Sequence, residues 1–98
     1  MIKDSGERRE VMQRAIAAYG AEAQLVVAIE EFSELIKEIC KHKRYMDNTG
    51  AIIEEVADCY IMLEQVQMIF GLGSTVVSDA MDKKIKRLQR RLDEKGGM

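Results

Sequence analysis

Proline is absent from all 98 residues of this chain, so helix punctuation falls to glycine and to one polar loop. The rest of the composition agrees. The chain is rich in Ala, Glu, Ile, Leu, Met, Lys and Arg, and aromatic residues make up only 5%, a balance that favours long helices. Breaks fall at Gly20, at Met46-Asp47-Asn48-Thr49-Gly50, at Gly71-Leu72-Gly73 and at Gly96-Gly97. They predict helices over about residues 5–19, 21 to 42 or 44, 51–70 and 74–94, with Ser5, then Asn48 or Thr49, then Ser74 as caps. Gly20 either ends the first helix or only bends it. No strand-like alternation, repeat or low-complexity tract interrupts this pattern. Short connections make consecutive helices antiparallel neighbours, so the expected fold is all-α, a four-helix antiparallel bundle in a single domain over residues 1–98.

Apolar residues reach 47%, enough for a globular domain, but a domain this short buries a thin core that a second copy would help complete. The net charge of −2 gives no general attraction to nucleic acid or to a membrane surface. The first residues are charged without an apolar leader core, and no apolar run is long enough to span a bilayer. Cys40 and Cys59 have no metal-like spacing. A cytoplasmic protein with reduced thiols is expected.

Sorting residues at about 100° per position places the acids on their helices. On the second helix, Leu25, Ile29, Phe32, Ile36 and Ile39 form the apolar stripe. Glu31, Glu34 and Glu38 run along its edge beside Ala28 and Leu35, and Glu30 points away. On the third helix, Ile52, Val56, Tyr60, Leu63 and Phe70 form the main apolar face. A second apolar strip, Met62, Val66 and Ile69, continues into Glu55 and Asp58, while Glu54 lies further round. Acidic pairs on helices are mostly solvated or matched by Lys and Arg. Acids in line with an apolar strip are different, because an unpaired buried carboxylate is costly. Glu31 and Glu34, with Glu55 and Asp58, make two i, i+3 pairs on adjacent antiparallel helices whose side chains can converge. Hard oxygen ligands suit magnesium, or manganese, better than zinc. A ferritin-like di-iron site needs Glu-x-x-His pairs, and the one histidine, His42, lies outside both clusters.

The fourth helix carries Lys83, Lys84, Lys86, Arg87, Arg90 and Arg91 around the stripe Val77, Met81, Ile85, Leu88 and Leu92. Lys84 falls in the inward sector with Arg87 and Arg91 on its flank. Lys84 either covers the core with its stem or, together with Arg87, reaches the acidic centre to hold phosphate oxygens. Phe32, Tyr45, Tyr60 and Phe70 are the candidates for stacking on a base, with Phe32 and Phe70 expected in the core.

In these residues the chain resembles the MazG-like nucleotide pyrophosphohydrolases of the all-alpha NTP pyrophosphatase superfamily. The family's Glu-Glu-x-x-Glu reads Glu30-Glu31-Phe32-Ser33-Glu34, and its Glu-x-x-Asp reads Glu55-Val56-Ala57-Asp58. Tyr19-Gly20, Gln24-Leu25 and Lys84-Ile85-Lys86-Arg87 are also similar, so the likeness runs over about residues 15–92. The resemblance implies magnesium-dependent cleavage of a nucleoside triphosphate, a deoxynucleotide or a noncanonical one, to the monophosphate and pyrophosphate. It implies Glu31, Glu34, Glu55 and Asp58 as catalytic metal ligands, Lys84 and Arg87 as phosphate contacts, and a homodimer or homotetramer sharing a helical core. The proton acceptor stays open between Glu30, Glu34 and Glu38. A noncatalytic oligomerising helical module and a nucleotide-binding regulator are the alternatives.

Overall fold

The computed structural model describes residues 5–44 and 47–96. The helices are α1 (Ser5–Tyr19), α2 (Ala21–His42), α3 (Thr49–Ile69) and α4 (Val76–Gly96). No strand occurs among the described residues, so the all-α class holds. The side chain expected to cap α1, that of Ser5, lies outside the described part, as do Tyr45, Met46 and Gly97.

Each break has a backbone cause. Gly20 has φ +94°, a conformation that L side chains rarely adopt. Its N–H donates to the Ile16 carbonyl at 2.8 Å, and its own carbonyl accepts from the Gln24 N–H at 3.1 Å. It therefore ends α1 and opens α2 within one residue. After α3, Gly71 takes φ +63°. The Leu72 N–H reaches the Gln67 carbonyl at 3.0 Å and the Gly71 N–H reaches Met68 at 3.1 Å, the paired closure of a Schellman end. α4 starts two residues later than the expected Ser74 cap, with the Thr75 carbonyl accepting from the Asp79 N–H at 2.8 Å.

The centre of the molecule is the α2/α3 hairpin, with α1 leaning on both helices. α4 packs against none of the other three, so a four-helix bundle is not closed within one chain. Met81, Ile85, Leu88 and Leu92 on its apolar stripe are all exposed. Among the described residues the buried apolar ones are Met12, Ala28, Cys59 and Met62, a core as thin as the chain length suggests.

The buried faces differ from those the apolar stripes predict. α2 buries Gln24, Ala28 and Glu38, the acid-bearing edge, and leaves Ile29 at 65% and Ile36 at 63% exposed. α3 buries Cys59, Met62 and Gln65 and half-buries Val66 and Ile69, so its second strip faces inward. Of the expected main face, Ile52 and Val56 are half-buried, and the rest turns outward, with Tyr60 68% and Phe70 63% exposed; Phe70 is not a core residue. α3 is apolar around most of its circumference, so periodicity alone favours no single face. Polar ties between the two helices decide the register instead.

Candidate metal centre

Two such ties bracket the centre. Cys59 Sγ on α3 donates to the Glu31 carbonyl on α2 at 3.5 Å, which fixes the level at which the helices meet. At the hairpin end, Asn48 directs its side chain back onto α2 rather than capping α3. Its Nδ2 donates to the Glu38 carbonyl at 2.8 Å and to Glu38 Oε1 at 3.0 Å, while Lys41 Nζ donates to Glu38 Oε2 at 3.3 Å. The Asn48 amide holds the Glu38 carboxyl below its ordinary pKa, aided by Lys41 and opposed by burial. Glu38 is thus a structural acid, already supplied with donors.

Between these ties, Glu31 on α2 meets Glu55 and Asp58 on α3. One carboxylate oxygen from each lies within 4.8 Å of the others, and all three residues are half-buried. The i, i+3 spacing of Glu55 and Asp58 puts both on one face, and the Cys59 contact presents that face to Glu31. Among the described residues no lysine or arginine pairs with the trio; the ion pairs go to Glu34 and Glu38 instead.

The electrostatics register how closely these carboxylates are crowded. A hydrogen bond shared with Asp58 raises the Glu31 pKa to about 7, helped by burial and by the charges of Asp58, Glu55 and Glu34. Glu55 is also raised, mainly by burial and then by Asp58, Glu34, Glu38 and Glu54. Its Oε2 is buried with no hydrogen-bond partner. Like charges held this close, one with an orphaned oxygen, are stabilised by a proton or by a cation. The donor set is oxygen only, which fits a hard divalent ion such as magnesium or manganese. Burial, chiefly, pushes the Cys59 thiol up, followed by the Glu31 charge, so it stays a thiol and adds no thiolate ligand.

Of the four expected ligands, the structure gathers Glu31, Glu55 and Asp58. Glu34 stands outside the trio, half-exposed, with Lys37 at 3.9 Å, although its charge acts on Glu31 and Glu55. Glu30 and Glu54 are exposed, on the outward faces where the helical sorting puts them. Lys84 and Arg87 are exposed on α4 and are not brought to the trio within one chain. The helical sorting gives no sign of the Asn48–Glu38 clamp. The signal available for it was the heptad series Gln24, Ala28, Glu31, Leu35 and Glu38, a packing seam with polar members.

Compared with known protein families, curated proteins and solved structures, the chain matches none.

Proposed function

We propose that the chain is a magnesium-dependent nucleoside triphosphate pyrophosphohydrolase of the MazG-like kind, releasing a monophosphate and pyrophosphate. The observation that carries this reading is the convergence of Glu31, Glu55 and Asp58 with no cationic partner among the described residues and one orphaned oxygen. These three residues would hold the ion, and Glu34, one turn along α2, stays outside the set. Magnesium bound there supplies charge neutralisation for the triphosphate and an acidified water.

The side chains then divide the remaining work. Glu38 is occupied by Asn48 and Lys41, and Glu30 faces outward. Glu34, beside the trio and held only by a long ion pair to Lys37, is the group we assign to accept the proton of the attacking water. Lys84 and Arg87 hold the departing phosphates. Because α4 packs on none of its own helices, these two residues meet substrate within a homodimer or homotetramer. The exposed stripes of α2 and α4 give such an assembly its apolar contact area.

A nucleotide panel incubated with the purified protein and magnesium, with pyrophosphate as the readout, tests the proposal. Release from one or more nucleotides is expected, and a folded protein that releases none from any of them sinks it. The exposed stripes equally suit a noncatalytic oligomerising module, and magnesium distinguishes the two: it raises the melting temperature of a metalloenzyme and leaves the module unchanged. A regulator that kept the site without turnover binds magnesium and nucleotide but yields no product.

A further inference from the structure

α1 and α3 form a groove of about 660 Å³ that is open to solvent. Its lining is mostly apolar, with Val11 and Met12 from α1 and Ala57 and Ile61 from α3. Each helix also contributes one charge, Arg8 on α1 and Glu64 on α3. Among the described residues neither has an ion-pair partner. α4 carries the matching pattern. At about 100° per residue, Met81, Ile85, Leu88 and Leu92 make its stripe, with Asp82 and Asp93 along one edge and Lys84 and Arg91 along the other. The four apolar side chains are all exposed. They span fewer than two heptads, short of the roughly three or four that mark a coiled coil of α4 with itself.

The chain's own α4 is directed away from the groove. After the Schellman end of α3, the Val76 N–H reaches the Gly73 carbonyl at 3.3 Å, and α4 leaves this turn without meeting any of the other helices. The radius of gyration is accordingly 17.0 Å, against about 13 Å for a compact domain near 100 residues. We propose that the α1/α3 groove receives α4 of a second copy of this chain, stripe inward, with its acidic edge against Arg8 and its basic edge against Glu64. Opposite charges on the two walls admit the helix in one direction, since turning it end for end sets Asp82 and Asp93 against Glu64. When each copy lends its α4 to the other, the contact occurs twice and closes on a two-fold axis as a dimer. This goes beyond the pyrophosphohydrolase reading and does not depend on it.

Two variants of the full chain, first alone and then mixed, test the docking in sedimentation equilibrium. Ile61→Arg blocks the groove at a residue 46% exposed in the single chain, and Leu88→Lys blocks the stripe of α4. Wild type is expected as a dimer, and each variant alone should associate at least about tenfold more weakly. Their equimolar mixture should regain part of the loss, because the intact α4 of the Ile61→Arg chain fits the intact groove of the Leu88→Lys chain. Glu64→Arg should weaken the dimer several-fold, and Arg91→Glu in the same chain should restore it. If circular dichroism shows that Ile61→Arg does not fold, Glu64→Arg takes its place in the mixture. A monomeric wild type overturns the proposal, and is the result if α4 docks on its own chain. Unchanged association of Ile61→Arg overturns it too, as when α4 pairs with itself or with the α2 stripe of another copy. So do a mixture no stronger than its two components and a double charge variant that shows no recovery. Pyrophosphate release enters none of these readings, so the hydrolase and the docking stand or fall separately.

Discussion

α2 and α4 are amphipathic helices of nearly equal length, 22 and 21 residues, yet the chain treats them in opposite ways. α2 turns its acid-bearing edge inward, where Asn48 and Cys59 grip it, and leaves Ile29, Ile36 and Ile39 of its apolar stripe exposed. α4 buries nothing. Within one chain, then, polar ties select the packed face and the greasiest surfaces are left unsatisfied. A core made mainly of Met12, Ala28, Cys59 and Met62 is small for a stable domain of this length. The acidic centre is assembled by the chain alone, whereas the apolar stripes ask for a further surface.

The sharpest way to break that division is to neutralise the trio. Asp58→Asn and Glu55→Gln should each reduce pyrophosphate release to background while far-UV circular dichroism stays unchanged. Metal-free protein should melt at a higher temperature in both variants, because like-charge repulsion is relieved. A lower melting temperature with loss of helix would mean that these acids hold the hairpin together, as Glu38 does, and do not form a metal site.

On the other side of the comparison, Ile85→Lys or Leu88→Lys places a charge in the middle of the α4 stripe. Burying one such side chain contributes about 2 kcal/mol, so self-association should weaken at least about tenfold in sedimentation equilibrium. The helical signal of α1–α3 should persist, since α4 packs on none of them. Assemblies of unchanged strength would show that the stripe is not the contact surface.

Helix number and order could be read directly from the absence of proline and the placement of glycine. Gly20 and Gly71 both take positive φ, which is why those two breaks were sharp. The packed faces were less legible. Ile29, Ile36, Tyr60 and Phe70 are apolar at helical spacing, but burial depends on what the neighbouring helix offers. Here that is decided by long-range polar contacts between residues 10 and 28 apart in sequence. The acidic site was partly visible for the same reason: Glu55 and Asp58 interrupt an apolar strip, a local signal. Glu31 joins them only through the hairpin register. Lys84 and Arg87 follow from the resemblance, and nothing in the packing of one chain positions them.

The trio also makes the metal-free protein sensitive to pH in a defined direction. The folded state raises the Glu31 pKa from 4.5 to about 7, so between these values the folded chain holds a proton that the unfolded chain has lost. Stability therefore falls as pH rises from about 4.5 to about 7, and the raised pKa of Glu55 acts in the same sense. Glu38 acts below this window: its lowered pKa gives stability that is complete above the ordinary carboxylate range and is lost on further acidification. Thermal melts across this range should show the fall in metal-free wild type and a smaller fall in Glu31→Gln. Magnesium should restore the lost stability most strongly at the upper end. Melting temperatures that rise steadily with pH without metal would show that Glu31 is not held next to the other two acids.

The finest contrast lies inside the acidic motifs themselves. Glu30 is adjacent in sequence to Glu31, and Glu54 to Glu55, but each is turned about 100° away and both are exposed. Glu54 reaches the centre only through its charge, as the last of the influences that raise Glu55, and water and salt screen such an effect. Glu30→Gln and Glu54→Gln should therefore leave kcat/KM within about twofold of wild type at moderate ionic strength, with Glu54→Gln the more salt-sensitive of the two. A loss from Glu30→Gln comparable to that from Asp58→Asn would mean that the acids act by their place in the sequence motif and not by the helix face they occupy. The face-by-face assignment of Glu31, Glu55 and Asp58 would then have to be given up.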